Sequence, residues 1–183
     1  MRDTHKCHLN LFVTFLKVLR YIIDVVNFRK FYDKYRKMLF AYLMRRTGDY
    51  FLSGDIMQES FTRYLDRYGH RIHSAPLLFK IARNALLDNR RRVLRNTSLA
   101  EEDEPDGENP EHRLLARDEY RRVLSAMQQL EEVEREVLSL AVSSDMSYRD
   151  IAELTATSEQ NIKVRIHRAR VKLRTILDRG DQA

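Results

Sequence analysis

The chain has 183 residues, with 33 Lys or Arg against 27 Asp or Glu and a formal net charge of +6. Five Gly, three Pro, 9% aromatic and 33% charged side chains favour an α-helical globular chain, in one domain or two small ones, over a β-sandwich or a disordered one. The single cysteine, Cys7, excludes an internal disulfide framework, and the positive balance suits a polyanionic partner.

Residues 9–26, LNLFVTFLKVLRYIIDVV, approach the length of a membrane span, but Lys17, Arg20 and Asp24 interrupt them. Charges at mid-span are costly in a bilayer, so no transmembrane span is expected. Asn10, Thr14, Lys17, Tyr21 and Asp24 recur at steps of three or four, a narrow polar stripe on an otherwise apolar helix. That pattern predicts a helix packed on the rest of the protein, with a partner-binding or membrane-surface helix as the second reading. No small-residue cleavage site follows, which argues against a signal peptide. His5, Cys7 and His8 are zinc-ligand types. Near-adjacent residues seldom all reach one tetrahedral ion and no fourth ligand is evident, so neither metal nor cofactor is expected.

Phe31, Tyr35, Met38 and Tyr42 give the next helix an apolar face, ending near Thr47 and Gly48. Residues 54–68 read as a second helix, with Met57, Phe61, Tyr64, Leu65 and Tyr68 on one side and Asp55, Gln58, Glu59 and Thr62 on another. A loop with His70 and His73 follows. Ser74 and Pro76 then open a third helix, PLLFKIARNALLDNRRR, with Leu78, Ile81, Ala82 and Ala85 toward the core. Its basic end, Arg90, Arg91, Arg92 and Arg95, suits both the helix dipole and phosphate. Residues 97–112, TSLAEEDEPDGENPEH, hold seven acids and no Lys or Arg. Such a segment cannot bury a core and reads as a solvated linker. Helices near 113–128 and 131–142 then present Leu114, Leu115, Val123, Leu124, Met127 and Leu130, followed by Val133, Val137, Leu138 and Ala141, as a small core.

Residues 147–177, SYRDIAELTATSEQNIKVRIHRARVKLRTIL, are the most informative stretch. Ser147 and Asp150 have capping-box spacing. Residues 155–157 break the pattern, and Ser158 is a second N-cap with Glu159 in the first turn. Ile162, Ile166, Ala169, Leu173 and Ile176 share one face. Gln160, Lys163, His167, Arg170 and Arg174 share another, with Asn161, Arg165, Arg168 and Lys172 beside them. A short capped helix, a tight turn and a helix carrying amides first and cations later is what a helix-turn-helix requires. The competing reading is an ordinary solvated basic face.

DIMQESF and IARNALLDNRRR, followed beyond the linker by LEEVEREVLSLAV and SYRDIAELTATSEQNIKVRIHRARVKL, resemble a bacterial RNA polymerase sigma factor of the extracytoplasmic-function (ECF) group. The resemblance covers about 28–95 and 115–177. It implies an all-α chain of two small helical domains joined by a flexible acidic linker. The boundaries are an apolar N-terminal helix over 1–27, a region-two-like domain over 28–95, the linker over 96–112, and a region-four-like helix-turn-helix domain over 113–178.

The resemblance implies cytoplasmic promoter recognition without catalysis. Asp55, Gln58 and Glu59 match the part that docks on the clamp helices of the largest subunit of core RNA polymerase. Asn84, Asp88, Arg91 and Arg92 match the part beside the minus-ten element, and residues 66–75 match the loop that captures an unstacked base. Glu159, Gln160, Asn161, Lys163, Arg165 and Arg168 match the helix that reads the minus-thirty-five element, in a domain that also meets the β-flap. A cognate anti-sigma factor is common in the group. The acidic linker is either a plain loop or, as the resemblance suggests, a nucleic-acid mimic in the RNA-exit path.

The chain departs from the family pattern, which often has Trp just before the third helix of region two, in having no Trp, and leaves Phe79 and Tyr68 as the nearby aromatics to substitute for it. It also carries residues 155–157, TAT, where the family's turn has Gly, and Glu131 where Pro is common. A turn that asks for positive φ is strained without glycine. The alternative function is a stand-alone helix-turn-helix regulator. No Gly-rich phosphate loop or nucleophile triad supports an enzyme.

Overall fold

The computed structural model describes residues 3–96 and 118–180, with side chains over 20–95 and 119–179. Every regular element among them is a helix: α1 (Asp3–Thr47), α2 (Tyr50–Tyr68), α3 (Ala75–Asn96), α4 (Asp118–Gln128), α5 (Glu132–Ser143), α6 (Tyr148–Leu154) and α7 (Glu159–Gly180). Most of the acidic linker, and the predicted core residues Leu114 and Leu115, lie outside the described residues.

No Gly or Pro interrupts residues 3–47, so the predicted N-terminal helix and the first helix of the next domain form a single 45-residue rod. Gly48, at φ 73°, ends it, with its N–H on the Met44 carbonyl at 2.8 Å. Asp49 then starts α2, its carboxylate accepting from Leu52 N at 3.0 Å. This cap places the helix start four residues ahead of the sequence expectation, with Gly54 inside the helix.

The apolar stripes fall largely as the periodicity predicts. Phe31, Tyr42, Phe61, Tyr64, Leu78, Ala82 and Ala85 are buried where α1, α2 and α3 meet. Met127, Leu130, Val137, Leu138, Ile151, Ile162, Ile166 and Ala169 are buried among α4 to α7. Three expectations are corrected. Val133 is exposed, because it falls on the solvent side of the first turn of α5. Phe79 is fully buried against Tyr42, with ring centroids 5.4 Å apart, so it serves the core and offers no exposed ring in place of the missing Trp. Ile22, Ile23 and Val26 are exposed, so this part of α1 does not bury its apolar side against the protein as expected.

The two halves pack against each other, α1 meeting α4 and α5 while α3 meets α6. Their contact is an arginine clasp. Arg46, 1% exposed, donates to the Glu132 carbonyl at 3.0 Å and to its carboxylate at 3.3 Å, and lies 3.8 Å from the Glu136 carboxylate. Arg83 donates to Glu136 at 2.8 Å, and Arg90 pairs with Glu132. Outside the clasp, Arg45 donates to Ser143 Oγ at 2.6 Å, Gln128 donates to the Arg45 carbonyl at 3.1 Å, and Lys34 pairs with Asp145 at 2.7 Å. Burying an arginine demands this many acceptors, since an unpaired buried cation is strongly destabilising.

Candidate nucleic-acid interface

The capping box at α6 is complete. Asp150 N donates to Ser147 Oγ at 3.2 Å, and Ser147 N donates to the Asp150 carboxylate at 2.9 Å. The Ser147 hydroxyl and amide hold the Asp150 carboxyl below its ordinary range. The helix closes in a Schellman arrangement, with Thr157 N on the Ala152 carbonyl at 2.9 Å and Ala156 N on the Glu153 carbonyl at 3.4 Å. That turn needs one left-handed residue, and Ala156 supplies it at φ 53°. An L side chain there costs about 1–2 kcal/mol. Ala156→Gly is therefore expected to stabilise the domain by up to about 1 kcal/mol after glycine's greater unfolded-state entropy is subtracted, measured by urea unfolding. A loss of stability would show the turn to be unstrained.

Ser158 caps α7 by accepting from Asn161 N at 3.2 Å. Asn161 also donates its side-chain amide to Thr157 Oγ1 at 2.8 Å, so this predicted reading residue also braces the turn. Ile162, Ile166 and Ala169 bury one side of α7. Gln160, Lys163 and Arg168 are exposed, while Arg165 is half-buried at the edge. Glu159 is exposed and pairs with Lys163 at 2.8 Å, which fixes the lysine along the helix surface. Lys172 turns back instead to Glu134, at 2.8 Å, and Glu131, at 3.3 Å, and ties α7 to α5. Glu134 and Glu131 hold its ammonium charged above its usual range.

Sequence reasoning missed Val164 and Val171, which are 46% and 53% exposed. With Gln160, His167 and Arg168 they form the outward strip of α7, at helical steps of three and four. The signal was present: two valines lie off the isoleucine stripe of an otherwise polar helix. An apolar side chain on that strip can meet a thymine methyl.

In the first half, Asn84, Asp88, Arg91 and Arg92 are exposed on one strip of α3. Asp88 lies 3.7 Å from Arg91. Arg90, grouped with them by sequence, belongs to the clasp. Asp55 and Gln58 are exposed on α2 and line an open cleft of about 470 Å³ together with Arg36, Lys37, Phe40 and Phe51. Glu59 sits one turn on and pairs with Arg63 at 2.7 Å. A cleft with an apolar floor and a mixed-charge rim suits a protein partner more than a nucleic acid. Among the described residues, no helix is long and apolar enough to cross a membrane.

These elements define a two-part helical protein whose second part is a DNA-binding helix-turn-helix. A model of sigma-70 region 4 matches residues 120–173. The chain is 30% identical over 133 residues to the RNA polymerase sigma factor NccH of Alcaligenes xylosoxydans xylosoxydans, covering 67% of this chain and 72% of that one. It is 28% identical over 158 residues to the ECF RNA polymerase sigma factor SigM of Bacillus subtilis, covering 81% and 94%. In fold it resembles the sigma factor RpoE solved with the anti-sigma factor NepR from Bartonella quintana, at a TM-score of 0.63 and 20% identity over 82% of this chain and 96% of that one. The chain belongs to the RNA polymerase sigma factors of the ECF group, which act in transcription initiation.

Proposed function

We propose that the chain binds core RNA polymerase through the α1–α2 cleft and directs it to promoters by reading two DNA elements. The single observation that carries this reading is the capped helix-turn-helix. It presents Gln160, Lys163, Val164 and Arg168 outward from a helix whose other side is fully buried. Amide and guanidinium groups on such a strip read base edges in a major groove, with Glu159, Asn161 and Arg165 setting and flanking it.

The minus-ten element falls to the first half. Asn84, Asp88, Arg91 and Arg92 line one exposed strip of α3, and the loop over 69–74, the part of the expected 66–75 that lies between α2 and α3, takes an unstacked base. Opening the duplex costs a few kcal/mol per step, which aromatic stacking and phosphate contacts offset. The chain catalyses nothing itself and works in the cytoplasm, where its polymerase is. An anti-sigma factor is an expected partner.

Docking is tested by replacing Asp55 and Gln58 together with Ala. Affinity for core polymerase, measured by titration of labelled chain, is expected to fall about thirtyfold, since hydrogen-bonding groups in an interface contribute about 1 kcal/mol each. Unchanged affinity would move docking away from this cleft. DNA binding of wild-type strength without polymerase would favour the stand-alone regulator.

A further inference from the structure

The loop over 69–74 is held from two sides. From below, the buried Tyr64 hydroxyl donates to the Ile72 carbonyl and accepts from Ser74 N, both at 2.8 Å. From the side it rests on α1. The His70 ring packs T-shaped with Phe28 and Tyr21, at centroid distances of 5.4 and 6.1 Å, and the His73 centroid lies 5.6 Å from that of Phe31. Arg71 Nε donates to the Asp24 carboxylate at 3.3 Å. Nδ1 of His70 is buried without a hydrogen-bond partner, so ring contacts with α1 set where this side chain lies. Tyr21, Asp24, Phe28 and Phe31 stand at steps of three and four, one continuous strip of the rod. This accounts for the end of the polar stripe, Tyr21 and Asp24, whose side chains are described. At Tyr21 and Asp24 the stripe faces the loop, and Ile22, Ile23 and Val26 face solvent.

The geometry points to a positioning role for the part of α1 ahead of residue 28. It braces the loop over 69–74 and thereby sets how readily this sigma factor holds the unstacked minus-ten base. The inference rests on the reading above that this loop takes the base. Asp24 is a positioning residue that acts through Arg71, and neither side chain belongs to the core. Arg71 is 70% exposed on its side chain, so the pair is weak, screened by salt and separable from folding.

The test uses holoenzyme assembled from core polymerase and the full chain, on a promoter duplex with 2-aminopurine in the minus-ten element. Asp24→Arg sets like charges face to face and is expected to slow opening about fivefold at low salt, with the deficit shrinking as salt rises. Its melting temperature and core affinity should match the wild type. Adding Arg71→Asp to Asp24→Arg should restore at least half of the lost rate. A merely structural role would give neither the salt dependence nor the rescue by exchange. Wild-type opening by Asp24→Arg, or no rescue by the double exchange, would overturn the inference. Ile72→Ala separates the two levels. If it opens normally, the loop does not hold the base and the underlying reading fails. If it is impaired while Asp24→Arg opens normally, only the bracing fails.

Discussion

Arg46→Ala is expected to lower stability by about 3–5 kcal/mol, the scale for removing one partner from a buried ion pair. Arg46 is almost wholly enclosed and holds both Glu132 and Glu136 from the last turn of α1. Its loss leaves a cavity and strips the mostly buried Glu136 of one cation, with Arg83 the other at 2.8 Å. Arg45, its neighbour on α1, still reaches Ser143 on α5 after the change, so a part of the rod's grip on α5 remains. Urea unfolding measures the change. Two separated transitions in place of one would show that the clasp is what makes the halves unfold together. A loss below about 1 kcal/mol would mean that the remaining hydrogen bonds carry the interface.

The second large effect is on DNA. Gln160→Ala with Arg168→Ala is expected to weaken binding of the minus-thirty-five element by the holoenzyme by about 2–6 kcal/mol, at about 1–3 for each base-reading side chain. Lys163→Ala or Arg165→Ala alone should weaken promoter use with helical content intact, and the lysine change should mainly lower the salt slope. Circular dichroism and salt-titrated promoter binding separate these outcomes. Ile162 and Ile166 face the core, so the exposed strip can change without unfolding the domain. An unfolded Arg165 variant would instead make that half-buried side chain structural.

Local signals carried much of this architecture. Ser147 with Asp150, Ser158 and the isoleucine stripe each act within one or two turns, and each sits where spacing placed it. The need for a left-handed residue in the turn was also legible, and Ala156 meets it. The start of α2 was misplaced at Gly54 because the clear apolar periodicity begins only beyond it, while Asp49, five residues earlier, makes the cap that decides it.

The clasp was not legible. Arg46 and Arg83 look like ordinary helix cations, and Glu132 and Glu136 lie 86 and 53 residues away from them. For the candidate site, the outward positions of Gln160, Lys163 and Arg168 followed from periodicity. The diversion of Lys172 to Glu134 and of Asn161 into the turn depended on partners that periodicity does not specify. The N-terminal stripe was seen but faced the wrong way in the reading. Its apolar side was assigned to the core, whereas at Tyr21 and Asp24 the polar side meets the loop.

Gel filtration of the full chain with bacterial core RNA polymerase tests the central claim most directly. A stable one-to-one complex that is weakened by the paired Asp55 and Gln58 replacements is the expected result. A folded, monomeric chain that elutes apart from core polymerase would contradict it.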